Sequence, residues 1–410
     1  MNSSRRVPPV WLMGLSNTTL GLSNGIIFFV MPQLMAAAQV PEAKIAAITA
    51  VATFPSFCCV FLAPILDVRF SRRWYATVFA ALSGAALSVA VLSVRHLLVL
   101  QIALVIGGAA CNLSAAALGG WLSNVTPSEQ KNLLSKWLNI AIFTGTGLVS
   151  AAGGEFIRQL PVVSAAILIG TIIFLPAVIF LFIPAPRPDR RLAGESFMQF
   201  NREILSLLGR RQVLAVLLLF LSPCSTFVLP YLLGGLGADF HASARAVSLA
   251  GGIGAFFPGL LGCSLFPVIA RHLRLRSFYF ANGIVGCLFT LTLIILPHTT
   301  FTFALALIGE YLFQALSFAI QIGIVLEAIG PDNPLAATTF AFLTSATNIP
   351  VMYITFLDGR AYSFGGIAGT LMTDAAIGIL TCIAAAILLA KFDSSSVGAT
   401  ESITPLAEES

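Results

Sequence analysis

Residues 184–211, PAPRPDRRLAGESFMQFNREILSLLGRR, are the longest polar stretch of the chain and lie close to its midpoint. On either side the sequence returns to apolar runs of roughly the 20 residues that a membrane-crossing helix requires. Six runs precede the break, at about 11–34, 44–66, 74–94, 97–121, 134–156 and 161–183. Six follow, at about 212–234, 244–269, 277–297, 299–329, 335–357 and 366–391. The reading is an all-α membrane protein of twelve transmembrane helices in two pseudo-symmetric six-helix bundles. It divides the chain into an N-terminal bundle (1–183), a cytoplasmic linker (184–211), a C-terminal bundle (212–391) and a tail (392–410) whose small, polar and acidic composition is that of disorder. Within the linker, Asn201 to Leu208 carries apolar residues at helical spacing among charges. It reads either as a short helix on the membrane surface or as part of a tether whose arginines rest near anionic lipid.

Composition supports this plan. Hydrophobic residues make up 58% of the chain and charged residues 10%, with a mean hydropathy of +0.94, whereas soluble domains carry about 25% charged residues. A water-soluble fold could not cover so much apolar surface, and the short loops leave no room for a separate catalytic domain. The first run, Trp11 to about Met35, follows Arg5 and Arg6 and precedes Ala36-Ala37-Ala38, as a leader peptide might; it exceeds a signal core of about 7 to 15 residues and reads as a retained span.

Charge gives an independent test, because Lys and Arg accumulate on the cytoplasmic side of a membrane. With the N-terminus inside, 17 of the 22 basic residues fall on that side. The other side receives Lys44, Arg95, Arg158, Arg245 and Arg360. The expectation is a multi-pass protein of a bacterial inner membrane with both termini cytoplasmic.

The seven cysteines lie within apolar stretches with no CxxC pair, and the four histidines are scattered singly at predicted loops. They match no metal-ligand spacing and read as packing and loop residues. No G-x-x-x-x-G-K-[ST] segment for ATP occurs, and no Ser-His or Glu-His pair recurs at helical spacing. The chain is therefore read as a non-enzyme with no cofactor, no metal and no nucleic-acid partner, working as a monomer in the lipid bilayer.

Between the second and third runs stands LAPILDVRFSRRW, residues 62–74. Together with the six-loop-six plan, it resembles the major facilitator superfamily, whose cytoplasmic loop signature is G-x-x-x-D-R-x-G-R-R. Asp67 falls at the position of the acid, and Arg72 and Arg73 stand for the basic pair one residue further on, while Ala63 replaces the first Gly, Val68 the first basic residue and Ser71 the second Gly. The resemblance implies a conformational latch, in which Asp67 pairs with a neighbouring helix end in one state and releases it in another. The competing reading is that Arg72 and Arg73 only enforce topology. The matching loop of the second half, PVIARHLRLRSF, has no acid, so any latch there must be built differently. Ala63, Pro64 and Asp67, ATTFAFLTSATNIP and FGGIAGTLMTDAAIGIL are similar to the group of AmpG-type muropeptide permeases, acetyl-CoA transporters and siderophore importers.

Polar groups inside the runs ask for a reason, since a charge at the bilayer centre costs at least about 2.5–3.5 kcal/mol. Glu310, Gln314, Ser317 and Gln321 share one face of the tenth run. In the superfamily the first, fourth, seventh and tenth helices line the central path. Here they offer Asn17, Thr18 and Asn24; Gln101, Asn112 and Ser114; Ser222, Ser225, Thr226 and Tyr231; and the Glu310 stripe. Glu310 reads either as a proton-coupling or substrate-binding carboxylate or as a structural acid paired to another helix. Asp374 is a second candidate for the pathway, whereas Glu155, Asp358 and Arg360 fall at span ends and are read as snorkelling. The functional expectation is a secondary active transporter with protons as coupling ion, taking up a medium-sized polar solute such as a muropeptide or siderophore by alternating access. The alternatives are an efflux pump for amphipathic compounds and a non-transporting membrane sensor.

Overall fold

The computed structural model describes residues 8–68, 70–150, 159–184, 202, 206, 209–223, 227, 229–230, 236–330 and 333–401. The described chain is helical in both halves, and seven of its helical stretches are long and apolar enough to cross a membrane. One of these, Ala336–Leu389, holds two passes. Several passes are interrupted, and their sequences say where.

In the N-terminal half, α1 (Val10–Ala37) breaks at Ser16 and Asn17 and widens into a π turn at Ile26–Val30. The second pass, α2, begins as Glu42–Thr53, continues through Pro55–Cys58 and ends in tight turns, the last being Ala63–Asp67. Pro55 and Pro64 remove amide donors that an unbroken helix would use. The half is completed by α3 (Arg72–Leu92), α4 (Leu97–Val125), α5 (Lys131–Leu148) and α6 (Val162–Leu181).

The C-terminal half opens with α7 (Arg211–Leu221), which stops before Pro223, followed by α8 (Ala244–Ile269), α9 (Leu275–Ile295) and α10 (Thr300–Ile329). A tight turn at Pro297 and His298 separates α9 from α10, and Thr299 caps α10 by accepting from the Thr302 amide at 3.3 Å. The eleventh pass, α11, starts as Ala336–Ala346 and continues into the helix Ile349–Glu401. That helix reverses at Gly366, whose φ of 57° and ψ of −151° suit a residue without a side chain, and α12 is the limb beyond it. One reading changes here: Asp358 lies inside α11 and not at its end.

Lipid-facing and buried surfaces separate cleanly. Val99, Ile102 and Ile106 are exposed on one side of α4, while Ser114 and Ser123 are buried on the other. Helices within a half meet through small residues, as α1 and α5 do at Gly21 and Gly145. Thr146 Oγ1 donates to the Gly21 carbonyl at 3.0 Å, and a Cβ added to Gly145 would stand 2.8 Å from the Leu22 amide.

The apolar core is organised by end. At the end that carries Arg72, Lys131 and Arg210, here the basic end, one continuous cluster runs through both halves, from Met13, Leu66, Trp121 and Leu134 to Phe266, Leu326, Ala337 and Phe340. At the far end the core is divided. Leu22, Val30, Leu87 and Leu104 belong to a cluster confined to the N-terminal half, and Phe240, Leu293, Phe303 and Leu371 to one confined to the C-terminal half.

Candidate functional site

The seal at the basic end is built on Asp67. It closes the last turn of α2, and its carboxylate reaches the start of α11 in the opposite half. The Thr338 amide and Oγ1 donate to Oδ2 at 2.8 and 2.7 Å, and the Ala337 amide donates to Oδ1 at 3.3 Å. A helix N-terminus has free amides and partial positive charge, which a carboxylate answers directly. Arg72 completes the arrangement, its Nε donating to Asp67 Oδ1 at 2.7 Å and its Nη2 to the carbonyls of Pro334 and Asn333 at 2.5 and 3.3 Å. The Asp67 side chain is fully buried and that of Arg72 nearly so. Asn124 at the end of α4 donates to the same Asn333 carbonyl at 3.3 Å. The structure thus brings together Asp67 and Arg72 of the expected latch, while Arg73 makes none of these bonds.

The N-terminal half adds a cation to the seal. Lys131, buried at the start of α5, donates through Nζ to the Leu326 carbonyl near the end of α10 at 2.7 Å. A cation at a helix C-terminus meets unpaired carbonyls and the negative end of the dipole. Asn139, two turns further along α5, donates to the Ser135 carbonyl at 2.9 Å and to the Phe318 carbonyl across the interface at 3.4 Å. Lys131, Asn333 and Thr338 escaped the sequence reading because their roles depend on which helix ends meet.

The polar stripe of α10 faces its own half. Glu310 is fully buried, and its Oε1 accepts from Thr290 Oγ1 on α9 at 2.7 Å. Ser317 Oγ accepts from Asn282 Nδ2, also on α9, at 2.8 Å. Gln314 donates to the Phe227 carbonyl at 2.9 Å, answering a group freed where α7 breaks. Gln321 is buried. Glu310 is joined by Asp374 on α12, whose charge it feels, and Asp374 is in turn felt by Asp358 on α11. Asp358 is fully buried, contrary to the reading that placed it at a span end. That reading ended the helix with the apolar run; the Gly365-Gly366 pair was the signal that the turn comes later.

In the N-terminal half, Asn17 donates to the Leu138 carbonyl at 3.3 Å and so ties α1 to α5. Asn24 is partly exposed. Asn112 is also partly exposed and donates to its own helix at Gly108 (2.8 Å). Gly108, one turn before Asn112 on α4, lies close to the Ile27 side chain of α1, so the two amides stand on adjoining helices. Ser225 and Thr226, like Tyr231 and Glu155, lie outside the described residues.

With two six-helix halves joined at one end by an acid, an arginine and a helix start, the class is that of a membrane carrier. The sequence profile of the Major Facilitator Superfamily matches residues 13–338, and the chain belongs to that family. No curated protein matches it in sequence. Solved structures with the same fold include the E. coli fucose:proton symporter FucP, at 14% identity over 92% of this chain and 98% of that one, with a TM-score of 0.72. Another is the proton:xylose symporter XylE, at 15% identity over 91% and 94%, with a TM-score of 0.66. A third is the human organic anion transporter MFSD10, at 17% identity over 94% and 100%, with a TM-score of 0.66.

Proposed function

We propose that this chain is a proton-coupled uptake carrier of a bacterial inner membrane, moving a medium-sized polar solute such as a muropeptide or siderophore by alternating access. The observation that carries the reading is the core continuous across both halves at the basic end and divided between them at the far end. Two rigid bundles joined at one end and parted at the other are one of the two states such a cycle needs, and release of the Asp67 and Lys131 contacts leads to the other. With both termini cytoplasmic, the basic end is the inner one and the structure is the outward-facing state. Asn24 and Asn112 are the cargo-facing amides, joined by Gln321 and, from the broken α7 region, Ser225 and Thr226. The carboxylates of Glu310 and Asp374 carry the coupling proton. The protein acts as a monomer, with lipid as its only other partner.

Purified protein in liposomes provides the test. Muropeptides and ferric siderophores are supplied outside while the lumen is held alkaline. The proposal predicts accumulation above the external concentration that a protonophore abolishes and that Glu310→Gln lacks. Equal uptake with and without the gradient would contradict proton coupling, and resistance to amphipathic compounds without uptake would support the efflux pump.

A further inference from the structure

The acids of the C-terminal half form a group that the sequence did not reveal, and their surroundings say what they bind. Asp358 is fully buried and neither carboxylate oxygen has a hydrogen-bond donor. Glu310 is equally buried, with Oε1 held by Thr290 and Oε2 without a donor. Three buried acceptor atoms are thus left over in one half of the molecule, where buried polar atoms are as a rule satisfied. The charged neighbour felt by each of these carboxylates is Asp374, another acid.

Among the described residues, the other groups near them bring no positive charge. From α9 comes the Thr290 hydroxyl, and from α12 come Asp374 and the Thr370 hydroxyl, which donates to the Asp358 backbone carbonyl at 3.2 Å. Arg360, two residues beyond Asp358, lies over the Phe356 ring at 5.7 Å. Tyr362 is spent on Asp239 at 3.0 Å. A buried acceptor needs a donor, and a protonated carboxyl carries an O–H that can supply one to its neighbour. A metal ion fits less well, since among the described residues no group of three acids, cysteines or histidines converges on one point.

Depth and exposure supply a route. Glu310 lies ten residues from the far end of α10, while Asp358 and Asp374 each lie eight residues from Gly366, so the three occupy similar depths towards the divided end. Asp374 shares the buried face of α12 with Ile367, Leu371 and Gly378, yet keeps partial exposure.

We propose that Glu310, Asp374 and Asp358 form a proton-holding site inside the C-terminal half, away from the interface between the halves, with Glu310 and Asp358 storing protons and the partly exposed Asp374 exchanging them with water. In each exchange a hydronium ion gives a proton to a carboxylate oxygen and leaves as water, and the protons on the group are shared and not owned by one residue. This rests on the proton-coupled reading and adds that Asp358 is a positioning and storage residue of the coupling site.

Infrared difference spectra of the purified wild type between neutral and alkaline pH provide the first readout, and need no variant to fold. The proposal predicts a protonated-carboxyl band that shifts in heavy water and is lost on alkalinisation. The second readout is Asp358→Asn and Glu310→Gln, each keeping the shape of the protonated acid. Each variant should lose part of that band, take up one proton fewer per molecule on acid titration, and in liposomes bring cargo only to the external concentration. A wild type that accumulates cargo with the pH gradient while Asp358→Asn does the same, with an unchanged band, would overturn this site and leave the carrier reading intact. A wild type indifferent to the gradient would overturn the carrier reading itself, whereas a band abolished by sodium chloride but not by potassium chloride would replace the proton with a sodium ion.

Discussion

Two sets of buried carboxylates occupy opposite ends of this molecule. Asp67 at the basic end meets an arginine, two amides and a hydroxyl. Glu310 and Asp358 towards the far end meet one hydroxyl between them and leave three oxygens unanswered. An acid with every lone pair occupied holds two pieces of structure together. An acid without donors or counter-charge is costly to ionise, so its charge follows the supply of protons. Burial alone therefore does not tell a clamp from a titrating site; the partners do.

The comparison can be broken by removing partners one at a time. Asp67→Ala has the largest expected effect, because it strands Arg72 and the first amides of α11. Loss of one member of a buried ion pair costs about 3–5 kcal/mol, and a much lower unfolding temperature in detergent, with loss of uptake, is the expected outcome. Lys131→Met removes one charged hydrogen bond to the Leu326 carbonyl, worth about 1.5–3 kcal/mol, and should lower the unfolding temperature less. Thr290→Val takes from Glu310 its one donor; a neutral bond of this kind contributes about 0.5–1.5 kcal/mol, so a small drop in unfolding temperature is expected. Arg73→Ala is the smallest, within about 0.5 kcal/mol, since Arg73 makes none of the clamp bonds. An Arg73 variant as damaged as the Asp67 one would show that the basic pair acts through topology and not through the clamp.

The fold was legible because it is written in coarse features: apolar runs of membrane length, a polar break at 184–211 and basic loops on alternate sides. Asp67 and Arg72 were legible because their loop resembles a known signature. The acid group was not, for a geometric reason. Periodicity puts Glu310, Gln314, Ser317 and Gln321 on one face of α10 but does not say which neighbour that face meets. Packing directs Glu310 and Ser317 to α9, and Gln314 to a carbonyl freed by the break in α7. Asp358 was hidden by the end of its apolar run, since α11 stays helical through polar residues until Gly366 permits the reversal.

The central claim, that the halves part and close at opposite ends in turn, is tested most directly by paired spin labels in a chain freed of its seven cysteines. One pair joins the halves at the far end, at Ala37 and Phe364, and the other at the basic end, at Glu129 and His272, all four positions being exposed. On addition of transported solute and acid, the far-end distance should shorten while the basic-end distance lengthens. Distances that stay fixed at both ends, or that change in the same direction, would contradict alternating access.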